Sequence, residues 1–334
     1  MMTSCFDLVC LFGFSPHFSQ IARFLDGSAR CIIVFGPRQK NSVESLDLPS
    51  STQQICVESL DDATYKNIAV REHNSLGISI GSPFIFTQND IDDFDGQLIN
   101  SHGAPLPEFK GGGGFSWRIL QRDKRGSILM HYVTTKIDQG AYVFRKNFMF
   151  SDDERMPGDY EKRQFKEESE QLLPWIKKVV LGETSLDKLS SERKSKVERG
   201  SYYPRLSSDL HGGIDWTLPL HDLESFVLAF SRPYSGAYTY IKGQKINIFN
   251  FRVERECYMH PFTYGLVLNA GPESFLVSCN GGIIELKFND LILPNSDLRL
   301  NPGDRFYTPE SIRERALSSR VFYRPDGLVA RNYM

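Results

Sequence analysis

A continuous apolar run, Phe6–Phe12, ends at Gly13 and predicts a buried strand. Ser15 is placed to cap a helix whose first residue is Pro16 and whose apolar face runs through Phe18–Leu25. Cys31–Phe35 is a second short apolar run, closed by Gly36-Pro37. Strand, helix and strand at this spacing form a βαβ unit, the building block of a parallel sheet. Leu76–Ile80, Gln97–Asn100 and Ile128–Val133 add further strands, and Gly158–Val180 is a charged amphipathic helix interrupted at Pro174. The first part of the chain is expected to be an α/β domain.

The texture then changes. Ser185–Arg199 is densely charged and is expected to be a solvated helix or linker. Beyond Asp209 short strand-forming runs dominate: Gly236–Ile241, Gln244–Phe251, Leu266–Ala270, Phe275–Ser278 and Ile283–Phe288. Glycines punctuate them, which predicts a small β-barrel or sandwich. With 334 residues the chain is long enough for two units, divided here as 1–207 and 208–334.

Composition narrows the function. Lys and Arg number 39 against 41 Asp and Glu, a net charge of -2, so binding of nucleic acid by bulk charge is disfavoured. The six cysteines are scattered without a C-x-x-C pair, which fits reduced thiols in a cytoplasmic protein better than a disulfide framework or a zinc site. Met1–Pro16 is apolar, but it lacks a basic start and Asp7 interrupts it; a first strand is expected rather than a leader. No stretch approaches the roughly 20 apolar residues of a membrane span.

Gly13-Phe14-Ser15-Pro16-His17 lacks the G-x-G-x-x-G of a dinucleotide loop, and no Gly-Lys-Ser/Thr follows Gly111–Gly114. The four glycines are either a flexible loop or backbone that lies close to a ligand. The richest constellation is Asn100-Ser101-His102, at the end of a strand, together with Asp138 in Lys136-Ile137-Asp138-Gln139-Gly140. Ligands of open α/β sheets bind beyond the carboxyl ends of strands. Residues two apart on a strand share a face, so Asn100 and His102 point to one side. An Asn, a His and a carboxylate can together hold an oxyanion and move a proton. Taken alone, these residue types near turns are as consistent with a structural role. His131 is expected to be a satisfied structural histidine rather than a metal ligand.

Asn100–Gly111, with its Asn-x-His, Leu106-Pro107 and Lys110-Gly111, resembles the active-site stretch of the N10-formyltetrahydrofolate-dependent formyltransferases. Gly126–Gly140 is similar to that family's second motif, and Gly81-Ser82-Pro83-Phe84-Ile85-Phe86 to the stretch that lies along the pterin ring. Gly213-Ile214-Asp215-Trp216, Arg232–Thr239, Gly265-Leu266-Val267 and Val277–Gly282 resemble the C-terminal module of methionyl-tRNA and sugar formyltransferases.

The resemblance implies an α/β fold: a Rossmann-like parallel-sheet catalytic domain with a helical linker over 1–207, then a small OB-like β-barrel over 208–334. It implies Asn100, His102 and Asp138 as catalytic residues, with Asn100 and a protonated His102 facing the oxyanion and Asp138 favouring the charged imidazole. Phe84, Ile85, Phe86, Ile137 and Asp138 would contact the folate, N10-formyltetrahydrofolate would be the co-substrate, and no metal is called for. The near-neutral charge and Arg232–Ala237 favour a nucleotide-linked amino sugar as acceptor, with the methionyl end of initiator tRNA as the alternative. A homodimer is left open. One departure stands out: Ala104-Pro105 occupies positions where the family usually carries Ser-Leu, which removes a hydroxyl near the folate.

Overall fold

The computed structural model describes residues 4–69, 74–112, 114–186, 200–294 and 298–332. Most of the charged segment expected as a helix or linker, residues 187–199, lies outside them.

The first part is built on a seven-stranded sheet. In chain order the strands are β1 (Leu8–Gly13), β2 (Arg30–Phe35), β3 (Gln53–Cys56), β4 (Ser75–Ile80), β5 (Leu98–His102), β6 (Arg125–Tyr132) and β7 (Tyr142–Met149), arranged β3-β2-β1-β4-β5-β6-β7. The first five are parallel, as the βαβ pattern predicts. β6 runs antiparallel to both of its neighbours, β5 and β7, so the sheet is mixed rather than wholly parallel. A crossover helix would have been needed to keep β6 parallel. The connection contains the short Gly114–Leu120 helix, and the chain re-enters the sheet beside β5 in the opposite sense.

β1 and β4 are buried along their whole lengths, which explains continuous apolar runs where a half-exposed strand would alternate. Helices cover both faces. On one side Phe18, Ile21, Ala22 and Leu25 of the first helix meet Trp175, Ile176, Val179 and Val180 of the Leu173–Val180 helix over the sheet. On the other, Phe12 meets Tyr65, Phe86 and Phe94 edge to face.

Two local expectations change. The first helix starts at Phe18, not Pro16, and has no side-chain cap; the Ser15 hydroxyl accepts from the His17 amide in the turn before it. The long helix breaks just ahead of Pro174, with Pro157–Glu167 and Leu173–Val180 joined by a π-helical turn, Glu168–Leu172. Proline has no amide for the carbonyl four residues back, and here the Leu173 amide reaches five back, to Glu168.

The second part contains the expected short strands: β8 (Ala237–Ile241), β9 (Gln244–Ile248), β10 (Arg252–Glu256), β11 (Val267–Ala270), β12 (Ser274–Cys279), β13 (Gly282–Lys287) and β14 (Leu291–Ile292). They form a four-stranded sheet, β10-β13-β12-β11, and a three-stranded sheet, β14-β9-β8. The stretch 304–308 bridges the two: Arg305 pairs with Leu266 beside β11, and Tyr307 pairs with Tyr240 of β8. The Leu220–Ala229 helix plugs one end with Leu220, Leu223, Val227 and Leu228. The chain finishes in the Glu310–Ser318 helix and a hairpin, β15 (Ser319–Arg324) and β16 (Gly327–Asn332).

The core of the second part does not stop at its own residues. Ile119, Phe150 and Tyr160 from the first part belong to the same apolar cluster. Arg118, fully buried, marks this junction: its guanidinium donates to the carbonyls of Gly103 at 3.1 Å, Arg125 at 2.9 Å and Gly114 at 3.1 Å. It lies 5.2–5.5 Å from the rings of Phe115, Phe150 and Tyr160. Five rigid donors surrounded by carbonyls and aromatic faces suit arginine and no other side chain.

Candidate active site

β5 ends beside both β4 and β6, where the sheet changes from parallel to antiparallel. Register sets Asn100 opposite His131 and beside Ser79. Asn100 is thereby oriented: its Oδ1 accepts from the Ser79 hydroxyl at 2.7 Å, which aims its Nδ2 at His131 Nε2, 3.3 Å away. The His131 Nδ1 donates to the Tyr132 carbonyl at 2.8 Å, leaving Nε2 to accept from Asn100.

Asp138 reaches back from the loop between β6 and β7. Its Oδ1 lies 3.6 Å from His102 Nδ1 and 3.5 Å from His131 Nε2. Its Oδ2 accepts from the Gly111 amide at 2.7 Å. Asp138 has a positive φ of 51°, a backbone state that Asp adopts more readily than most residues. Two residues on, Gly140 packs against the Tyr132 carbonyl so closely that a Cβ would overlap it. That carbonyl is the one holding His131, so Gly140 is needed for the loop to close on the histidine.

Burial alone would push the Asp138 carboxyl up, but His131, His102 and the Gly111 amide hold it down to about 2, an anion at neutral pH. For His102 burial is the largest influence and lowers its pKa; Asp138 and the Phe109 carbonyl raise it, and His131 and Arg118 lower it again. The net shift is downward. A downward shift favours the neutral imidazole in the resting site, whereas the resemblance implies a protonated His102 during catalysis. Its Nε2 donates to the Phe109 carbonyl at 2.7 Å, so Nδ1, the nitrogen facing Asp138, carries the lone pair.

The structure thus brings Asn100, His102 and Asp138 together and adds His131, Ser79, Gly111 and Gly140. His131 is buried and bonded, as expected, yet it stands inside the constellation rather than apart from it. Ser79 had a signal, a polar residue inside the apolar run Leu76–Ile80, and Gly140 stood in the Asp138 motif; Arg118 had none, because its burial is set by the packing of Phe115, Phe150 and Tyr160 around it.

His102 opens into a cleft of about 540 Å³, rimmed by Gly111, Gly112, Arg38, Arg205, Glu168 and Tyr234. Phe84 and Phe86 turn into the core, while Ile85 between them is 73% exposed and Ile137, beside Asp138, is 46% exposed. Among the described residues no group of three or more His, Cys, Asp or Glu is placed to hold a metal ion. Among them, too, no helix is long and apolar enough to cross a membrane.

Residues 208–290 match the formyltransferase C-terminal domain family. The methionyl-tRNA formyltransferase of Acetivibrio thermocellus is 27% identical over 189 residues, 57% of this chain and 58% of that protein. Residues 208–290 are thus a formyltransferase C-terminal domain, and over more than half of its length the chain is similar to a methionyl-tRNA formyltransferase. The bifunctional polymyxin resistance protein ArnA of Wigglesworthia glossinidia brevipalpis is 25% identical over 194 residues, 56% of this chain and 27% of that protein. The aligned stretches thus span under two thirds of these curated relatives.

Two solved formyltransferases share the fold. WlaRD, a sugar 3N-formyltransferase crystallised with dTDP and 5-N-formyl-THF, superposes with a TM-score of 0.57 at 13% identity, covering 86% of this chain and 99% of its own. A sugar N-formyltransferase from Shewanella sp. superposes with a TM-score of 0.56 at 19% identity, covering 73% of this chain and 96% of its own.

Proposed function

We propose that this chain moves the formyl group of N10-formyltetrahydrofolate to the amine of a nucleotide-linked amino sugar. The observation that carries the reading is the buried group Asn100, His102, His131 and Asp138 beside a cleft of about 540 Å³, a volume suited to a small acceptor. Residues 1–207 supply the chemistry in this reading, and 208–334 form the supporting unit.

The folate supplies an activated formyl carbon. Ile85 and Ile137 are exposed apolar side chains, and with the backbone of Phe84–Phe86 they would hold the flat pteridine ring. Ionised Asp138 completes that contact set.

The protein's part follows from its hydrogen bonds. Amine attack leaves negative charge on the formyl oxygen, which needs a donor already in place. Asn100 is such a donor, because Ser79 fixes which end of its amide is NH2. The amine must also lose a proton. His102 Nδ1 is the base, since Nε2 is committed to Phe109 and Nδ1 faces the Asp138 carboxylate at 3.6 Å. The resulting imidazolium is stabilised by that carboxylate, and it returns the proton to N10 of the folate as the bond from N10 to the formyl carbon breaks, releasing tetrahydrofolate. A lowered pKa keeps the imidazole unprotonated, and so able to accept a proton, at neutral pH.

The test is to mix the chain with N10-formyltetrahydrofolate and a panel of nucleotide-linked amino sugars, and to follow tetrahydrofolate release. Release that depends on a sugar amine supports the proposal; release of formate without an amine makes the protein a hydrolase instead. A second acceptor is favoured by one observation, the 27% identity to a methionyl-tRNA formyltransferase. Turnover with methionyl-tRNA and with no sugar, falling steeply with salt, would replace the sugar as acceptor.

A further inference from the structure

A second group of polar side chains borders the cleft, and the steps proposed for His102 leave it unused. Glu168 opens the π-helical turn Glu168–Leu172 and lines the cleft that contains His102. Gln164, one turn earlier, donates its Nε2 to Glu168 Oε1 at 2.9 Å and to the Ser127 carbonyl at 3.2 Å. Both amide hydrogens are thereby committed, which fixes the end of Gln164 that meets the carboxylate. Gln164 also ties this group to the end of β5: a Cβ on Gly103, the residue after His102, would stand 3.4 Å from Gln164 Nε2.

On its other side Glu168 faces His17. Nε2 and Oε2 are 3.6 Å apart, beyond a hydrogen bond. The His17 ring lies flat on Phe165, with centroids 4.6 Å apart and planes 3° apart, and only 1% of the residue is exposed. Among the described residues neither ring nitrogen has a hydrogen-bond partner. Buried polar groups are ordinarily paired, so an imidazole kept unpaired against a cleft carboxylate costs stability and points to a use.

A carboxylate offers about four lone-pair sites, and Gln164 fills one. The Glu168 side chain is 14% exposed, and the cleft is what it meets. An ionised carboxylate only accepts, which suits a cationic N–H donor. Formyl transfer requires such a group to be handled. A sugar amine is mainly ammonium at neutral pH and then has no lone pair with which to attack. His102 takes the proton lost at attack and returns it to N10; the additional proton of the ammonium must leave before that.

We propose that Glu168 receives the ammonium group of the acceptor and takes that first proton, with His17 and Gln164 as positioning residues behind it. One N–H bond of the ammonium breaks, an O–H bond forms on the carboxylate, and the electron pair stays on nitrogen as the lone pair that attacks the formyl carbon. The proton passes from Glu168 to water once product leaves. The proposal rests on the formyl-transfer reading and adds the group that prepares the amine. The other ionisable groups lining the cleft are His102, Tyr234, Arg38, Arg205 and Asp209, and on the helix before Glu168, Arg163 pairs with Glu167.

The full chain is assayed with N10-formyltetrahydrofolate and dTDP- and UDP-linked amino sugars, each also made with an aminooxy group in place of the amine. The aminooxy nitrogen is unprotonated at neutral pH and has no extra proton to lose. Glu168→Gln should lower kcat/KM for the amine about 100-fold at pH 7 and leave the aminooxy sugar within about threefold of wild type. With that variant the amine rate should climb with pH toward the ammonium's own pKa, where the wild type has levelled. His17→Phe keeps the stack on Phe165. It should cost the amine about tenfold and spare the aminooxy sugar, and Tm should be no lower, since an unpaired buried imidazole is removed.

Unchanged amine turnover in Glu168→Gln overturns the proposal. An equal loss on both acceptors, the mark of a structural role, overturns it too, as does an unshifted pH profile. Should that variant fail to fold, His17→Phe decides by the same split: an equal loss, or none, overturns the proposal. A wild type that formylates neither form of any sugar overturns the sugar-amine reading itself. A wild type active on both, with no split in the variants, overturns the role of Glu168 alone.

Discussion

The two halves of the molecule bury different kinds of polar residue. Up to Val180 the interior holds His17, Gln39, Asp90, Lys110, Arg118, His131 and Gln164 besides several serines. From Ser208 onward the buried polar residues are all hydroxyl-bearing: Ser225, Ser231, Thr239, Ser278 and Ser319. Hydroxyls are cheap to bury, because each finds one partner and carries no charge. Imidazoles, guanidinium and carboxylates are costly to bury, and around Asp138 and Arg118 they interlock, while buried His17 has Glu168 3.6 Å away. On the proposed reading the contrast separates two roles: chemistry at the junction of β5 and β6, and an apolar core in the second half that braces it through Ile119, Phe150 and Tyr160.

Four perturbations would break or sharpen that contrast. The largest effect is expected of His102→Ala, which should lower kcat/KM for formyl transfer by about 10³-fold with the fold retained by circular dichroism. Unchanged turnover would remove the chemistry from this edge. Phe275→Ala is its counterpart in the second half. Phe275 is buried against Phe288 and Phe306, with ring centroids 5.5 and 5.6 Å away. Its loss should cost about 4 kcal/mol in urea unfolding while kcat per folded molecule stays within twofold. A collapse of kcat in folded protein would mean that the second half does more than brace.

Gly140→Ala should cost roughly 3 kcal/mol of stability by overpacking, and it should lower activity as well, because it displaces the carbonyl that orients His131. Loss of stability with full activity would show that His131 is dispensable. The smallest effect concerns acid. The Asp138 carboxyl is lowered in the fold from 3.8 to about 2, so the stability it contributes is present above pH 3.8 and is lost as pH falls toward 2. Its size is about 2 kcal/mol, and Asp138→Asn should flatten the stability profile across that window. His102 acts earlier: its pKa is lowered in the fold, so the unfolded chain takes up that proton first and stability begins to fall below about pH 6.5.

Much of this was legible in the chain. The apolar runs Phe6–Phe12, Cys31–Phe35 and Leu76–Ile80 became buried parallel strands because a strand covered on both faces has no reason to alternate. Asn100 and His102 were readable as a pair by the two-residue period of a strand. The strands β3 and β7 were missed: Gln53-Gln54 and Arg145-Lys146-Asn147 belong to the two outermost strands of the sheet, where one side is open and polar residues are tolerated. The lowered pKa of His102 was not legible either, since it reflects burial outweighing a nearby carboxylate, and burial is set by residues far along the chain.

Local pattern therefore determined which segments became strands and helices, which of their faces were apolar, and that an Asn, a His and an Asp lay near strand ends, because these depend on neighbours within a few residues. The tertiary structure alone decided that β6 runs antiparallel and sets His131 opposite Asn100. It alone decided that the Ser79 hydroxyl and the Gly111 amide fix Asn100 and Asp138, and that His17 lies beside Glu168. Each of those contacts joins residues about twenty to about 150 positions apart, and its energy depends on distances and burial that no short stretch of sequence contains.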